Sequence, residues 1–355
     1  MGAEQRAHCD GAHADGTITA AELATALQAC ARSKRPGSDG LPYEFYATFW
    51  DDLGEELAAV VNEVYLEGGL LTGSQRTGII VLLYKGKGLP RTALDSYRPI
   101  TLLNADYKLV AKALTLRWGA SMAAVLDGTQ TAFLPGRWIG DNILCHLEEI
   151  DYLEVTKEPG VIIFLDFAKA YDRLDRDWLF RCMERLGFGG RAMRWARLLA
   201  DGTQARVLVN GYPTAAFPMR SGVPQGSPLS PLLYDIAAQP LASHMRQLQA
   251  AGVLHPIRLP DGSPAPPTHQ HADDTTIHVA TLDDVVPALE RGVEAFCHAS
   301  NARLNLAKTK GLLLGSERGR RPPDGLHTPS GVRFAAPTEV VRHLGIQLGV
   351  GEAAA

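Results

Sequence analysis

Residues Val161-Ile162-Ile163-Phe164-Leu165 are apolar at five consecutive positions and run directly into Asp166. A segment that is apolar on both faces belongs inside a sheet covered on both sides, so this run predicts a central buried strand. A lone carboxylate at the end of such a strand is costly unless something compensates its charge. A second acidic feature, Asp273-Asp274, lies between two short β-prone runs and predicts a tight hairpin with carboxylates at its tip. If the two strands are neighbours, three carboxylates converge and their repulsion favours a divalent cation. Oxygen-only ligation with open positions suits Mg2+ held together with substrate phosphates. Two such ions, about 3.5–4 Å apart, clamp the attacking and leaving oxygens in phosphoryl transfer. The plainer alternative makes Asp166 a cap for the next segment and Asp273-Asp274 a solvated turn.

A chain of 355 residues with 46% hydrophobic content can bury such a strand in one large or two modest domains. The formal charge of −4 argues weakly against nucleic acid, but it is unevenly distributed. Residues 1–67 hold 4 basic and 12 acidic side chains, whereas residues 76–117 hold 8 basic and 2 acidic. Residues 169–220 and 301–321 each carry a net +5. An acidic leader thus masks a basic body. The five cysteines (Cys9, Cys30, Cys145, Cys182, Cys297) form no CxxC pair, so neither a zinc ribbon nor a disulfide framework is indicated. Cys145 and Cys182 are expected to be small buried residues, in a reducing intracellular compartment. The polar N-terminus shows no charged n-region leading into an apolar h-region, so no secretory signal is expected, and no apolar run approaches the ~18 residues of a membrane span.

Residues 10–22 resemble a calcium loop only superficially, because Gly11 and His13 stand where oxygen side chains are required. Thr19-Ala20-Ala21-Glu22 instead predicts a capping box opening an amphipathic helix through Leu23 and Leu27. A second helix is expected over about 43–66, ending at Gly68-Gly69. A strand is expected at 79–84, followed by the basic turn Lys85-Gly86-Lys87-Gly88, and a helix over 104–126 with Leu109, Ala113 and Leu116 on one face. Asp175 is expected to cap a helix that Gly187 terminates. Strands at 206–210 and 217–219 flank the turn Gly211-Tyr212-Pro213. The loop 221–227 feeds a helix carrying Leu229, Leu232, Leu233 and Ile236, with Pro228 and Pro231 in its first turn. The stretch 315–332 reads as a linker or surface loop.

Three segments then become specific together: Ile163-Phe164-Leu165-Asp166-Phe167-Ala168-Lys169-Ala170-Tyr171-Asp172, Ser221-Gly222-Val223-Pro224-Gln225-Gly226-Ser227-Pro228-Leu229-Ser230-Pro231, and His271-Ala272-Asp273-Asp274. This succession resembles a reverse transcriptase domain of the non-LTR (LINE-type) retrotransposon branch. Earlier segments agree: Pro36-Gly37-Ser38-Asp39-Gly40, Ser96-Tyr97-Arg98-Pro99-Ile100-Thr101-Leu102-Leu103-Asn104, and Gln130-Thr131-Ala132-Phe133-Leu134-Pro135-Gly136-Arg137. Later ones do too: Leu304-Asn305-Leu306-Ala307-Lys308-Thr309-Lys310 and His343-Leu344-Gly345-Ile346. The likeness spans about residues 17–350, with the blocks in family order.

The resemblance implies an α+β right-hand polymerase. After a leader at 1–16 it would have helical and stranded fingers at 17–155, an antiparallel-sheet palm backed by helices at 156–350 and a tail at 351–355, with the thumb missing or truncated. It implies RNA-directed DNA polymerase activity: a primer 3′-hydroxyl extended with dNTPs on an RNA template by two-metal phosphoryl transfer. Two Mg2+ ions, with Mn2+ as the alternative, would be held by Asp166, Asp273 and Asp274, assisted by the Phe167 carbonyl. Tyr171 would lie beneath the incoming sugar, where its ring clashes with a 2′-hydroxyl. Arg98 and the Lys85/Lys87 turn would reach the triphosphate. Gln225 would help position the templating base and nucleotide. Lys308 would protonate the leaving pyrophosphate, with Lys310 as its competitor. The partners implied are RNA template, DNA primer and dNTPs, no membrane, and an endonuclease in cis in a longer product or in trans. Target-primed insertion would place the protein in the nucleus.

Two departures stand against that pattern. His271 occupies a position where the family has Tyr or Phe, and Tyr234-Asp235 stands where Phe-Asn is more usual. His271 and the expected absence of a thumb motivate a second reading, a degenerate or repurposed remnant that binds nucleic acid without extending primers. A third, another two-metal palm enzyme such as a nucleotidyl cyclase, is disfavoured by the 96–104 and 221–233 blocks, which serve template and primer.

Overall fold

A computed structural model describes residues 16–86, 88–320, 331–336 and 339–349. The leader residues 1–15, Cys9, Lys87, the linker 321–330 and the tail lie outside the described residues. The chain forms two compact units, each built from two separate stretches. The first takes the described part of Met1–Val125 together with Met183–Leu233, and the second takes Leu126–Cys182 with the described part of Tyr234–Ala355. Residues 183–233 thus pack with the first stretch rather than with their sequence neighbours. The cause is a return of the chain that local patterning does not reveal. Trp195 stacks on Tyr65 at a centroid distance of 4.2 Å and an interplanar angle of 7°, and Tyr107 Oη donates to the Leu199 carbonyl at 3.0 Å.

In the first unit, strand Thr77–Tyr84 pairs antiparallel with Tyr97–Leu102, from Ile79 opposite Leu102 to Tyr84 opposite Tyr97. Its other edge pairs parallel with Gln204–Val209. Two-residue strands at Tyr212–Pro213 and Phe217–Pro218 complete the sheet, both antiparallel to Gln204–Val209. The Ala20–Gln28 helix begins with the expected capping box, Thr19 accepting from the Glu22 amide and Glu22 reaching back. The helix expected over 43–66 is divided into Tyr43–Thr48 and Trp50–Glu67, because Phe49 leaves the helical region at φ −107, ψ 25. Helix Ala105–Val125 buries Leu109 and Ala113, but Leu116 is exposed. Its buried set also includes Tyr107, Val110, Ala111, Leu114 and Trp118, so it is enclosed on most sides rather than along one stripe.

The second unit is organised by the apolar strand that leads into Asp166. Gly160–Leu165 is buried at every position and lies third in a five-stranded sheet. The order is Arg333–Phe334, Lys310–Leu314, Gly160–Leu165, Asp274–Val279, Thr268–His271. Every pairing is antiparallel except Arg333–Phe334 against Lys310–Leu314, so the sheet is mixed, with one parallel edge. On one face Ile162, Phe164, Leu312 and Leu314 pack with Ile150 and Leu153 of helix Ile139–Thr156. Each fully buried aliphatic side chain there is worth about 1.5–3 kcal/mol, which holds the strand that carries Asp166. Asp175 caps the following helix, Arg176–Arg185, by accepting from the Trp178 amide at 2.7 Å. Gly315–Arg320, expected as loop, is a 3-10 helix. Cys182 is buried as expected, but Cys145 is exposed.

Candidate active site

The Asp273-Asp274 hairpin is as tight as its sequence suggests. His271 pairs with Asp274, leaving only Ala272 and Asp273 in the turn. Ala272 adopts φ 56°, a region that costs a non-glycine residue about 1–2 kcal/mol. Gln130 supports it: its Oε1 accepts from the Ala272 amide at 3.1 Å and from the Ala132 amide at 3.0 Å. Beside it, the Gln270 amide donates to the Thr129 carbonyl and the Thr131 amide to the Gln270 carbonyl. Arg137 ties this segment down by donating to the Gln130 carbonyl at 2.6 Å and the Leu126 carbonyl at 2.8 Å.

The hairpin strand Asp274–Val279 lies next to the central strand, with Leu165 opposite Thr275. Extending that register by one residue sets Asp166 against Asp274. The charges respond to this crowding. Burial, then Asp274 and Asp166, push the Asp273 carboxyl up to about 6. Burial and Asp166 raise Asp274 as well. Two raised carboxyls beside Asp166, with oxygen as the only donor type, match the chemistry of a hard divalent cation. Asp166 is anchored from its backbone: its carbonyl accepts from the Asn305 amide at 2.7 Å and its amide donates to Thr309 Oγ1 at 3.3 Å. Phe167 is buried and forms an isolated antiparallel bridge with Leu304.

Tyr171 follows directly. Its ring stacks on Tyr234 at 4.8 Å and 21°, and burial together with Asp273 and Asp235 raises its hydroxyl pKa. The 301–309 segment that braces Asp166 also carries Lys308, which is exposed. Lys310, its competitor, pairs with Glu339 at 2.8 Å. The ion pair thus occupies Lys310, the competitor of Lys308.

Lys85, Arg98 and Gln225 stand in the first unit. Lys85 Nζ donates to the Asp95 carbonyl at 2.7 Å, and Arg98 is exposed on the Tyr97–Leu102 strand. The Gln225 carbonyl accepts from the Thr101 amide at 2.7 Å, which sets the 221–227 loop on that strand. Sequence reading missed two contributors. Gln130 carries no local signal beyond its place in the 130–137 segment. Asp235 was noted as a departure, yet it is buried beside Asp273, with neither carboxylate oxygen hydrogen-bonded among the described residues.

A mixed sheet with three mutually repelling carboxylates at one end defines a class of protein suited to cation-assisted phosphoryl chemistry. Residues 85–348 match the family described as Reverse transcriptase (RNA-dependent DNA polymerase), and the chain belongs to that family. It is 31% identical over 335 residues to a Xenopus laevis protein, Transposon TX1 uncharacterized 149 kDa protein, covering 94% of this chain and 24% of that protein. It is 25% identical over 349 residues to the RNA-directed DNA polymerase from mobile element jockey of Drosophila melanogaster, covering 93% and 35% respectively. A type-1 retrotransposable element R2 polyprotein from Popillia japonica is 25% identical over 162 residues, covering 44% and 22%. The chain therefore spans about a quarter to a third of the length of these relatives.

Proposed function

We propose that this chain is the polymerase region of a LINE-type element and extends a primer 3′-hydroxyl with dNTPs on an RNA template. The observation that carries this is the crowding of Asp166, Asp273 and Asp274 at one sheet end, where burial, then the neighbouring carboxylates, raise the Asp273 carboxyl. These three residues, with the Phe167 carbonyl, would hold two Mg2+ ions, or Mn2+. Bound there, the ions supply positive charge to the phosphoryl group and to the oxygens that attack and leave it. Tyr171, backed by Tyr234, presents a fixed ring that excludes a ribose 2′-hydroxyl. Lys308 is the exposed ammonium that donates a proton to pyrophosphate. Lys85 and Arg98 are the proposed phosphate ligands on charge chemistry, and Gln225 the proposed template-side group. Fingers at 17–155 and palm at 156–350 remain the proposed functional regions, with an endonuclease in cis or in trans and action in the nucleus. Among the described residues no helix is long and apolar enough to cross a membrane.

A second reading, nucleic-acid binding without extension, is favoured by His271 and Asp235. His271 Nδ1 lies 3.0 Å from Thr131 Oγ1, so this ring is committed to a hydrogen bond that Phe would not make. The deciding experiment is primer extension on an RNA template with Mg2+. Wild-type incorporation that falls about 100-fold or more in Asp273→Asn supports the polymerase. RNA binding without incorporation, unchanged by His271→Tyr, supports the second reading.

A further inference from the structure

We propose a second metal site in the second unit, in which Glu149, His269 and His278 bind a tetrahedral transition-metal dication such as Zn2+. It is separate from the aspartate cluster. His278 is four residues along its strand from Asp274, about 13 Å at the usual strand rise.

A carboxylate oxygen of Glu149 and ring nitrogens of His269 and His278 all lie within 4.8 Å of one another, and all three residues are buried. Bonds of about 2.0–2.2 Å in a tetrahedral zinc site place donors roughly 3.4 Å apart, so only a small contraction is required. His278 Nδ1 already meets Glu149 Oε2 at 2.8 Å. The outer partners that such ligands need are present. His278 Nε2 faces Thr276 Oγ1 at 2.9 Å, and His269 Nδ1 faces Asn142 Oδ1 at 3.4 Å. His146 stands beside both, its ring 5.1 Å from His278 and 5.2 Å from His269, with Nε2 held by Thr276 Oγ1 at 3.0 Å.

Charge points the same way. Glu149 Oε1 is buried with no hydrogen-bond partner among the described residues. Burial raises this carboxyl to about 7, opposed by His269 and His146. The imidazoles are held neutral, the state that ligates metal: burial pushes His278 to about 3 and His146 to about 4. Ile162 and Phe164 line the same face, where apolar side chains would pack without this desolvation cost. A dication offsets that cost and fastens helix Ile139–Thr156, which carries Glu149, to both strands of the catalytic hairpin.

The test uses the whole chain, stripped with a chelator and then titrated with Zn2+ by calorimetry and with Co2+ by visible absorption. Expected are one equivalent bound with a Kd below about 1 µM, a tetrahedral Co2+ spectrum and a raised Tm. Glu149→Gln keeps the shape and His269→Leu suits an apolar core; each should weaken binding at least about 100-fold. Thr276→Val, which removes only an outer partner, should weaken it about 10- to 100-fold. A wild-type chain that binds no equivalent more tightly than about 1 mM overturns the proposal. So does affinity left unchanged in both Glu149→Gln and His269→Leu.

Discussion

Replacing Gly226 with alanine tests whether the 221–227 loop is held by close backbone approach. Gly226 has φ 143°, and a Cβ there would lie 2.2 Å from the Thr101 carbonyl oxygen and 3.2 Å from its carbon. Relief requires the loop to retreat by about an ångström, because real Cβ contacts essentially never fall below 3.0 Å. A shift of that size breaks the 2.7 Å bond from the Thr101 amide to the Gln225 carbonyl, costing about 1 kcal/mol. Forcing alanine into that φ region adds about 1–3 kcal/mol. The sum, about 2–4 kcal/mol, should appear locally, where hydrogen exchange at the Thr101 amide reads it directly. Protection there should fall about 30-fold or more, since each 1.36 kcal/mol is a factor of ten. Gly211 is the control: its φ is 88°, but nothing lies within 4 Å of the added carbon. Gly211→Ala should cost only the backbone penalty and leave Thr101 protected. Unchanged Thr101 exchange in Gly226→Ala would refute the reasoning.

Asp235→Asn removes a buried carboxylate that burial and Asp273 hold well above its ordinary range. A raised folded value means the charged form opposes folding above the unfolded pKa, so the variant should gain about 1–3 kcal/mol at pH 8 and less at pH 4, measured by urea denaturation. In chelator, stability should fall as pH drops from about 6.5 to 4.5. His278 and His343 are depressed to about 3 and His146 to about 4, so the unfolded chain binds more protons there. Glu149, raised to about 7, opposes this by one proton. His269, also depressed, adds one proton to the unfolded side, while Asp273, raised to about 6, and Asp235, held well above its ordinary range, take two away. The net of about one proton gives a slope of roughly 1 kcal/mol per pH unit, and stability that rises as pH drops would contradict it. Lys308→Ala should slow nucleotide incorporation without altering Tm, whereas Lys310→Ala, which leaves Glu339 with Arg333 as its remaining cationic partner, should cost about 0.2–1 kcal/mol. Equal effects of the two on incorporation would overturn their separation.

Local signals were legible wherever one segment carried its own physics. The unbroken apolar run at 161–165, the Thr19/Glu22 capping box and the Asp175 cap all appear as read. The two-residue hairpin follows from its flanking β-prone runs. What escaped depends on residues far apart in the chain. Nothing near Trp195 announces its stack on Tyr65, so the return of 183–233 to the first unit was invisible. Leu116 continued a stripe that the enclosure of its helix made irrelevant. The histidine cluster joins residues 146, 269, 278 and 343, which share no periodicity and meet only when the hairpin packs on its helix. The central carboxylates stood out in the sequence because burial makes a lone Asp expensive. Gln130 did not, because a buried amide that braces a turn resembles any other polar loop residue.

The most direct test is single-nucleotide incorporation on an RNA template, with Mg2+ present and pyrophosphate release measured alongside. The expected result is dNTP addition with one pyrophosphate per nucleotide, reduced about 100-fold or more by Asp166→Asn and by Asp273→Asn. RNA-templated addition that persists at wild-type rate in both variants would contradict the assignment of these carboxylates.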